Sequence, residues 1–364
     1  MIAFLYKKFK RLFIIFIFFL ISFSNIALAK FIRDTEIENI IYGWADPIFT
    51  AAGIPKNSIK IHLVADNNIN AFVTDGKNMF INTGLIIKAG SANGLIGVIA
   101  HEAGHIAAGH IVNIKQTARE LQENQFITSL LGMGMLILSS TSDSLKKDRI
   151  DIAQTVLSLG PSIATKSFFS YSRGKEYVAD SLAMEYLKKV NRNPGALGII
   201  LKKLYGQELL LLERQDPFLR THPLSRERMQ IIKQKTSLSK VVDNKYDHMA
   251  YQRIKAKLEG FLEKPGKTLL NNQDNSLYSR YARSIAYYRA PMHKKSLVEL
   301  DKLLSDYPKD PYFLELKGQI LSENGYIKEA TMMYKKALKI IPNSPLIQLS
   351  LSSLLLEDDK NIKK

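Results

Sequence analysis

One stretch, "VIAHEAGHIAAGH" from Val98 to His110, constrains this chain more than any other. It has the apolar content of a buried helix but carries three histidines and a glutamate. Burying such groups is costly unless something partners them. His101-Glu102-Ala103-Gly104-His105 has the form H-E-x-x-H. On a helix, residues four apart lie on one face, one turn up, so both imidazoles can reach a single metal ion. Glu102 stands beside that face, where a carboxylate can hold a metal-bound water as general base. Leu95, Ile96, Val98, Ile99 and Ile106 make the rest of the helix apolar. Gly104 and Gly109 fall inside the predicted helix, each at a cost of up to about 1 kcal/mol relative to alanine. The pair predicts that another backbone packs closely against them. His110 lies about 140° round the helix from His105 and is expected to support the site rather than to bind the metal.

A catalytic zinc needs a third protein ligand and keeps a fourth position for water. Glu176 is the candidate for the third. It opens "EYVAD", which puts Asp180 four residues on, on the same helix face. One carboxylate would take the metal, and the other would accept the far N–H of a ligating histidine and so fix its tautomer. A solvated acidic pair is the competing reading of the same spacing. The apolar setting and the motif upstream favour ligation. "THPLSRER" adds His222 and Arg228, an imidazole and a cation of the kind that stabilises a developing oxyanion. The residue types alone leave the metal's identity open.

The surroundings are read from the two ends inward. "MIAFLYKKFKR", the apolar run Leu12–Ile21 and "ALA" at 27–29 form a secretory signal pattern, with cleavage expected after Ala29. That places the mature chain outside the cytoplasm. Absence of cysteine excludes disulfides, thiolate ligands and cysteine catalysis. The net charge of +17 favours anionic neighbours. The signal pattern and the even spread of that charge argue against nucleic acid. The sequence from Phe31 to Ile54 predicts one helix with a break at Asp46-Pro47. Ile59–Asp66 predicts a strand, and "NAFV" and "NMFIN" around Asp75-Gly76 a hairpin. Ser91 is placed to cap the motif helix. Residues 126–138, "FITSLLGMGMLIL", form an apolar run too short to span a bilayer. It reads as a buried helix or apolar flap, with peripheral membrane contact as the other possibility.

The C-terminal part carries a repeat. Pro308 and Pro342 stand 34 residues apart, as do Pro311 and Pro345. Gly318, Ala330, Tyr334 and Ala337 occupy the small and aromatic positions of the 34-residue helix–turn–helix tetratricopeptide pattern. The expected organisation is a signal peptide at 1–29, a metalloprotease domain at 30–245, a polar linker at 246–275 and repeats at 276–364.

Taken in order, "VIAHEAGHIAAGH", "YSRGKEYVAD" and "THPLSRERM" resemble the zinc metalloproteases related to the CAAX prenyl protease and HtpX. The resemblance covers about residues 35–360. It implies a mostly helical α+β fold of the zincin type, followed by an all-α tetratricopeptide-repeat domain. It also implies zinc on His101, His105 and Glu176, Glu102 as base, and His222 and Arg228 at the cleft. Asn70, Ala71 and Phe72 would belong to a strand bordering the cleft, where an extended substrate pairs through its backbone. The expected activity is hydrolysis of misfolded or stalled envelope polypeptides, with the repeats meeting outer-membrane assembly machinery. The repeat array is shorter than the family members carry. A chaperone or scaffold acting mainly through its repeats is the alternative.

Overall fold

The computed structural model describes residues 31–74, 77–110, 173–210, 214–216, 218–219, 222, 224, 226–235 and 242–362. The predicted signal peptide and the apolar run at 126–138 lie outside the described residues. Most of the described chain is helical, with one small sheet. Among these residues no helix is long and apolar enough to cross a membrane.

Strand β1 (Phe31–Ile32) leads into helix α1 (Thr35–Ala51), whose first turn is capped by Asp34 accepting from the Ile37 N–H at 2.9 Å. The break expected at Asp46-Pro47 does not occur, and α1 runs through Pro47. Trp44, Ala45, Ile48 and Phe49 are buried on both sides of the proline, so apolar packing outweighs the one hydrogen bond the ring removes. Strands β2 (Lys60–Val64), β3 (Ala71–Thr74) and β4 (Asn78–Asn82) complete a four-stranded sheet in the order β1-β2-β4-β3. The hairpin forms as expected, with Ala71 opposite Ile81. β2 and β4 run parallel, and β3 is left at an edge.

Ile61, Leu63, Met79 and Ile81 point inward from the sheet and are buried. The core they join also holds α1, α2 (Thr83–Lys88) and α3 (Ala92–Ala107). The motif helix α3 is capped by Ser91, as the sequence predicts. It is capped a second time by Asp243, whose carboxylate accepts from the Ala92 and Asn93 N–H groups at 2.8 Å. Helix α4 (173–189) and α5 (Ala196–Leu204) pack across α3. A short helix, α6 (Arg226–Lys235), follows the His222 segment.

The stretch expected as a polar linker is mostly helix. Helix α7 (Lys245–Leu262) buries Tyr251, Ile254 and Leu258 in the first core and Ala256 in the next. Its polarity lies in the ion pairs it makes, described below. Helices α8 (Pro265–Asn271), α9 (Leu277–Arg289), α10 (His293–Asp306), α11 (Pro311–Glu323), α12 (Ile327–Ile340) and α13 (Pro345–Ile362) follow, each in contact with the next. Pro311 and Pro345 each stand at the first position of a helix, where the missing N–H costs nothing. Gly318 faces Tyr334, and a Cβ there would meet the ring at 3.1 Å.

Candidate active site

Two helices and one loop build the site. On α3, His101 and His105 are both buried and present their Nε2 atoms 3.1 Å apart. Helix α4 delivers Glu176, with Oε2 at 3.2 Å from His101 Nε2 and Oε1 at 3.2 Å from His105 Nε2. The two helices can approach this closely because of Gly104. A Cβ there would lie 2.7 Å from the Ala179 carbonyl oxygen. Gly97 does the same against Leu197 on α5, a role the sequence reading missed. Gly109 is different: it follows the end of the helix in a left-handed conformation, φ +66°, and among the described residues nothing lies within 4 Å of where a Cβ would stand. It terminates α3, and no neighbour among the described residues packs against it.

His222 enters the same cluster from its loop. Its Nδ1 lies 3.3 Å from both His101 Nε2 and Glu176 Oε1. Phe218 lies against its ring, tilted by 31° with centroids 4.6 Å apart, and sequence spacing gave no sign of that contact. His101, His105, Glu176 and His222 thus each offer one donor atom within a 4.8 Å sphere of mutual distance. Ligand nitrogens on a tetrahedral zinc with bonds of 2.0–2.1 Å stand about 3.3 Å apart. The spacings here, 3.1 to 3.3 Å, suit such an ion, and the imidazole and carboxylate donors are those zinc prefers.

Around the donors sits a second layer. His101 Nδ1 faces Asp180 Oδ1 at 2.9 Å, the arrangement that leaves Nε2 as the lone-pair side. Arg228 is buried and grips Asp180 with two bonds, Nε to Oδ2 at 2.7 Å and Nη2 to Oδ1 at 2.8 Å. Its Nη1 reaches Glu176 Oε2 at 3.0 Å. The guanidinium therefore bridges two carboxylates. His110 Nδ1 lies 2.9 Å from His105 Nδ1, a supporting contact.

Electrostatics divides these groups sharply. Burial pulls the His101 imidazole down, but Asp180 and Glu176 push it up to about 9. Burial takes His105 down to about 3. Burial also raises Glu176 and Asp180. His222, His101 and His105 hold Glu176 well below the usual carboxylate range, and Arg228 with His101 lowers Asp180. Glu102 differs from both: burial raises it, and no neighbour fully reverses that. Its Oε1 lies 3.4 Å from His222 Nε2, and neither atom has a well-formed hydrogen bond among the described residues. A carboxylate of raised proton affinity beside a metal donor set is suited to accept a proton from water.

A family model described as "Peptidase family M48" matches residues 32–236. The chain belongs to peptidase family M48. It is accordingly a zinc metallopeptidase, and its donor cluster fits that metal. The chain is 23% identical to a beta-barrel assembly-enhancing protease of Yersinia pestis over 339 residues, covering 90% of this chain and 67% of the relative. The protein of the same name in Escherichia coli K12 is 22% identical over 338 residues, with the same coverage. A protease HtpX homolog of Listeria monocytogenes serotype 4a is 29% identical over 195 residues, 49% of this chain and 62% of the relative.

Proposed function

We propose that this M48 peptidase cleaves misfolded or stalled envelope polypeptides in the periplasm, as part of outer-membrane protein quality control. The observation that carries the reading is the convergence of His101, His105 and Glu176 beside the buried Glu102. The name shared by the relatives, beta-barrel assembly-enhancing protease, supports the cellular setting. The signal pattern at 1–29 supports export. The 34-residue spacing at 308–345 supports tetratricopeptide repeats over 276–364, with the peptidase domain at 30–245. On this reading the repeats meet the outer-membrane assembly machinery, and the surplus positive charge favours peripheral contact with anionic lipid.

His101, His105 and Glu176 would hold the zinc. When bound, it supplies Lewis-acid chemistry toward water and the scissile carbonyl. Glu102 takes a proton from the attacking water on a carboxylate oxygen and returns it to the leaving amine. Asp180 holds His101 in the tautomer with Nε2 free, and Arg228 holds Asp180 in turn. β3, an edge strand among the described residues, would offer Ala71 and Phe72 to an extended substrate by strand addition, with Asn70 immediately before it.

Zinc content and peptide cleavage are measured together on two variants. Glu102→Gln should keep the metal and lose about 10²–10⁴-fold in kcat. Glu176→Ala should lose both. Equal zinc in wild type and Glu176→Ala would remove Glu176 from the ligand set. If the Glu102→Gln chain restored growth of a null strain under envelope stress, the scaffold reading would replace the proteolytic one.

A further inference from the structure

A cavity of about 710 Å³ lies away from the metal donors, between the two halves of the molecule. One wall is the turn from Ile32 to Ile37. A second is α7, with Leu258 and Phe261. The third is the inner face of α11, α12 and α13. Its size falls within the range of about 300–1,000 Å³ for clefts that hold ligands, and clefts favour such domain junctions. The walls mix apolar and polar side chains: Leu258, Phe261 and Leu354 are apolar, and Leu349 on α13 is left 65% exposed among them. Ser322 and Ser353 add neutral hydroxyls, which can pair with peptide groups.

The charged side chains of the lining decide what fits. Arg33 is spoken for by Glu38 at 2.7 Å, and Asp34 by Lys257 at 2.7 Å. Glu323 accepts from Tyr288 and Gln319. Glu315 alone of the four has no hydrogen bond or ion pair among the described residues. It is half-buried, and burial raises it to about 7 against the pull of Lys257. A half-buried carboxylate without a hydrogen bond is costly until a cation or donor meets it. In a chain of net charge +17, this groove is acidic.

We propose that this groove binds an extended apolar polypeptide segment carrying one lysine or arginine, whose cation pairs with Glu315. The proposal rests on the reading of the chain as an enzyme that handles polypeptides, and it names a holding site separate from the zinc donors. Apolar side chains of the segment lie on Leu258, Phe261 and Leu349, and its backbone meets the serines.

The test uses the full chain carrying Glu102→Gln, so that no probe is cut. The probe is a fluorescein-labelled heptapeptide of leucine and serine with one central lysine, followed by anisotropy. Twins carry norleucine or glutamate in place of the lysine. The lysine peptide should bind about fivefold more tightly than the norleucine twin, with the glutamate twin weakest. In the Glu315→Gln background the lysine and norleucine peptides should bind alike. Because the peptide is varied as well as the protein, a folding defect in one variant cannot imitate this pattern. Equal binding of all three peptides, no binding, or a lysine preference that survives Glu315→Gln overturns the proposal. So does concentration-dependent dimerisation abolished by Glu315→Gln, which would give the groove to a second copy of the chain. Cleavage by the chain with Glu102 intact is read separately: if it is absent while the lysine preference stands, the peptidase reading falls and the groove remains.

Discussion

At the scale of single residues, His222 raises a conflict of geometry. A catalytic zinc is held by three protein ligands and leaves a position for water. Here four protein donors converge, and His222 Nδ1 lies 3.3 Å from both His101 Nε2 and Glu176 Oε1. From its sequence His222 is expected to steady an oxyanion. The structure places it in the donor set, with the Phe218 ring against it. Removing it should therefore open a position, not spoil the site. His222→Ala should raise kcat/KM on a short peptide by about tenfold or more, equivalent to about 1.4 kcal/mol of competition removed. Zinc should stay bound through the other three residues. A fall in activity with zinc retained would return His222 to the oxyanion role. His101, Glu102 and His105 are legible in the sequence because their spacing is local. The Arg228–Asp180 grip is not, since it joins residues 48 apart that only the crossing of α4 and α6 brings together.

At the scale of elements, the site depends on how closely α3 and α4 cross. The carboxylates on α4 reach the histidines only because Gly104 has no Cβ to meet the Ala179 carbonyl at 2.7 Å. Gly104→Ala should push α4 away, cost about 1–3 kcal/mol in urea unfolding, and weaken zinc retention against a chelator. Gly43, on the exposed side of α1 with nothing within 4 Å, is the control. Gly43→Ala should stabilise by about 0.5–1 kcal/mol, because it removes only backbone freedom. If both substitutions left zinc retention unchanged, the close crossing would not be what assembles the ligands. The sequence signalled a close backbone at Gly104 but misplaced Gly109, because a glycine just past a helix end and one inside it look alike in a string. It also gave no sign of Asp243, which caps α3 from 150 residues away. The polar composition of 246–275 hid a helix, since Tyr251, Ile254 and Leu258 are only a stripe among charges.

At the scale of the whole molecule, those charges join its two halves. Glu36 on α1 is fully buried. It accepts from Arg253 Nε at 2.7 Å and from Tyr281 Oη at 2.8 Å, and Lys257 Nζ lies 3.3 Å away. Arg253 also bonds Asp310, the N-cap of α11, at 2.7 Å and lies over the Phe313 ring, 4.5 Å from its centroid. One carboxylate near the chain's start thus holds α7 and α9 directly, and α11 through Arg253. Burial raises Glu36, but Lys257, Arg253 and Tyr281 more than offset it and hold it below its ordinary 4.5. A carboxyl depressed in the folded state contributes stability above its unfolded value, and that contribution is lost as pH falls through 4.5 toward the folded value. Glu36→Gln should cost about 3–5 kcal/mol at pH 7, because Arg253 and Lys257 stay buried without their partner. The gap between wild type and variant should narrow steadily below pH 4.5, as the wild-type carboxyl is protonated. Urea unfolding of both proteins from pH 7 to pH 3 reads this directly. A gap that stays constant with pH would mean that Glu36 acts through packing alone, and that the halves are held together by their apolar cores rather than by this buried charge.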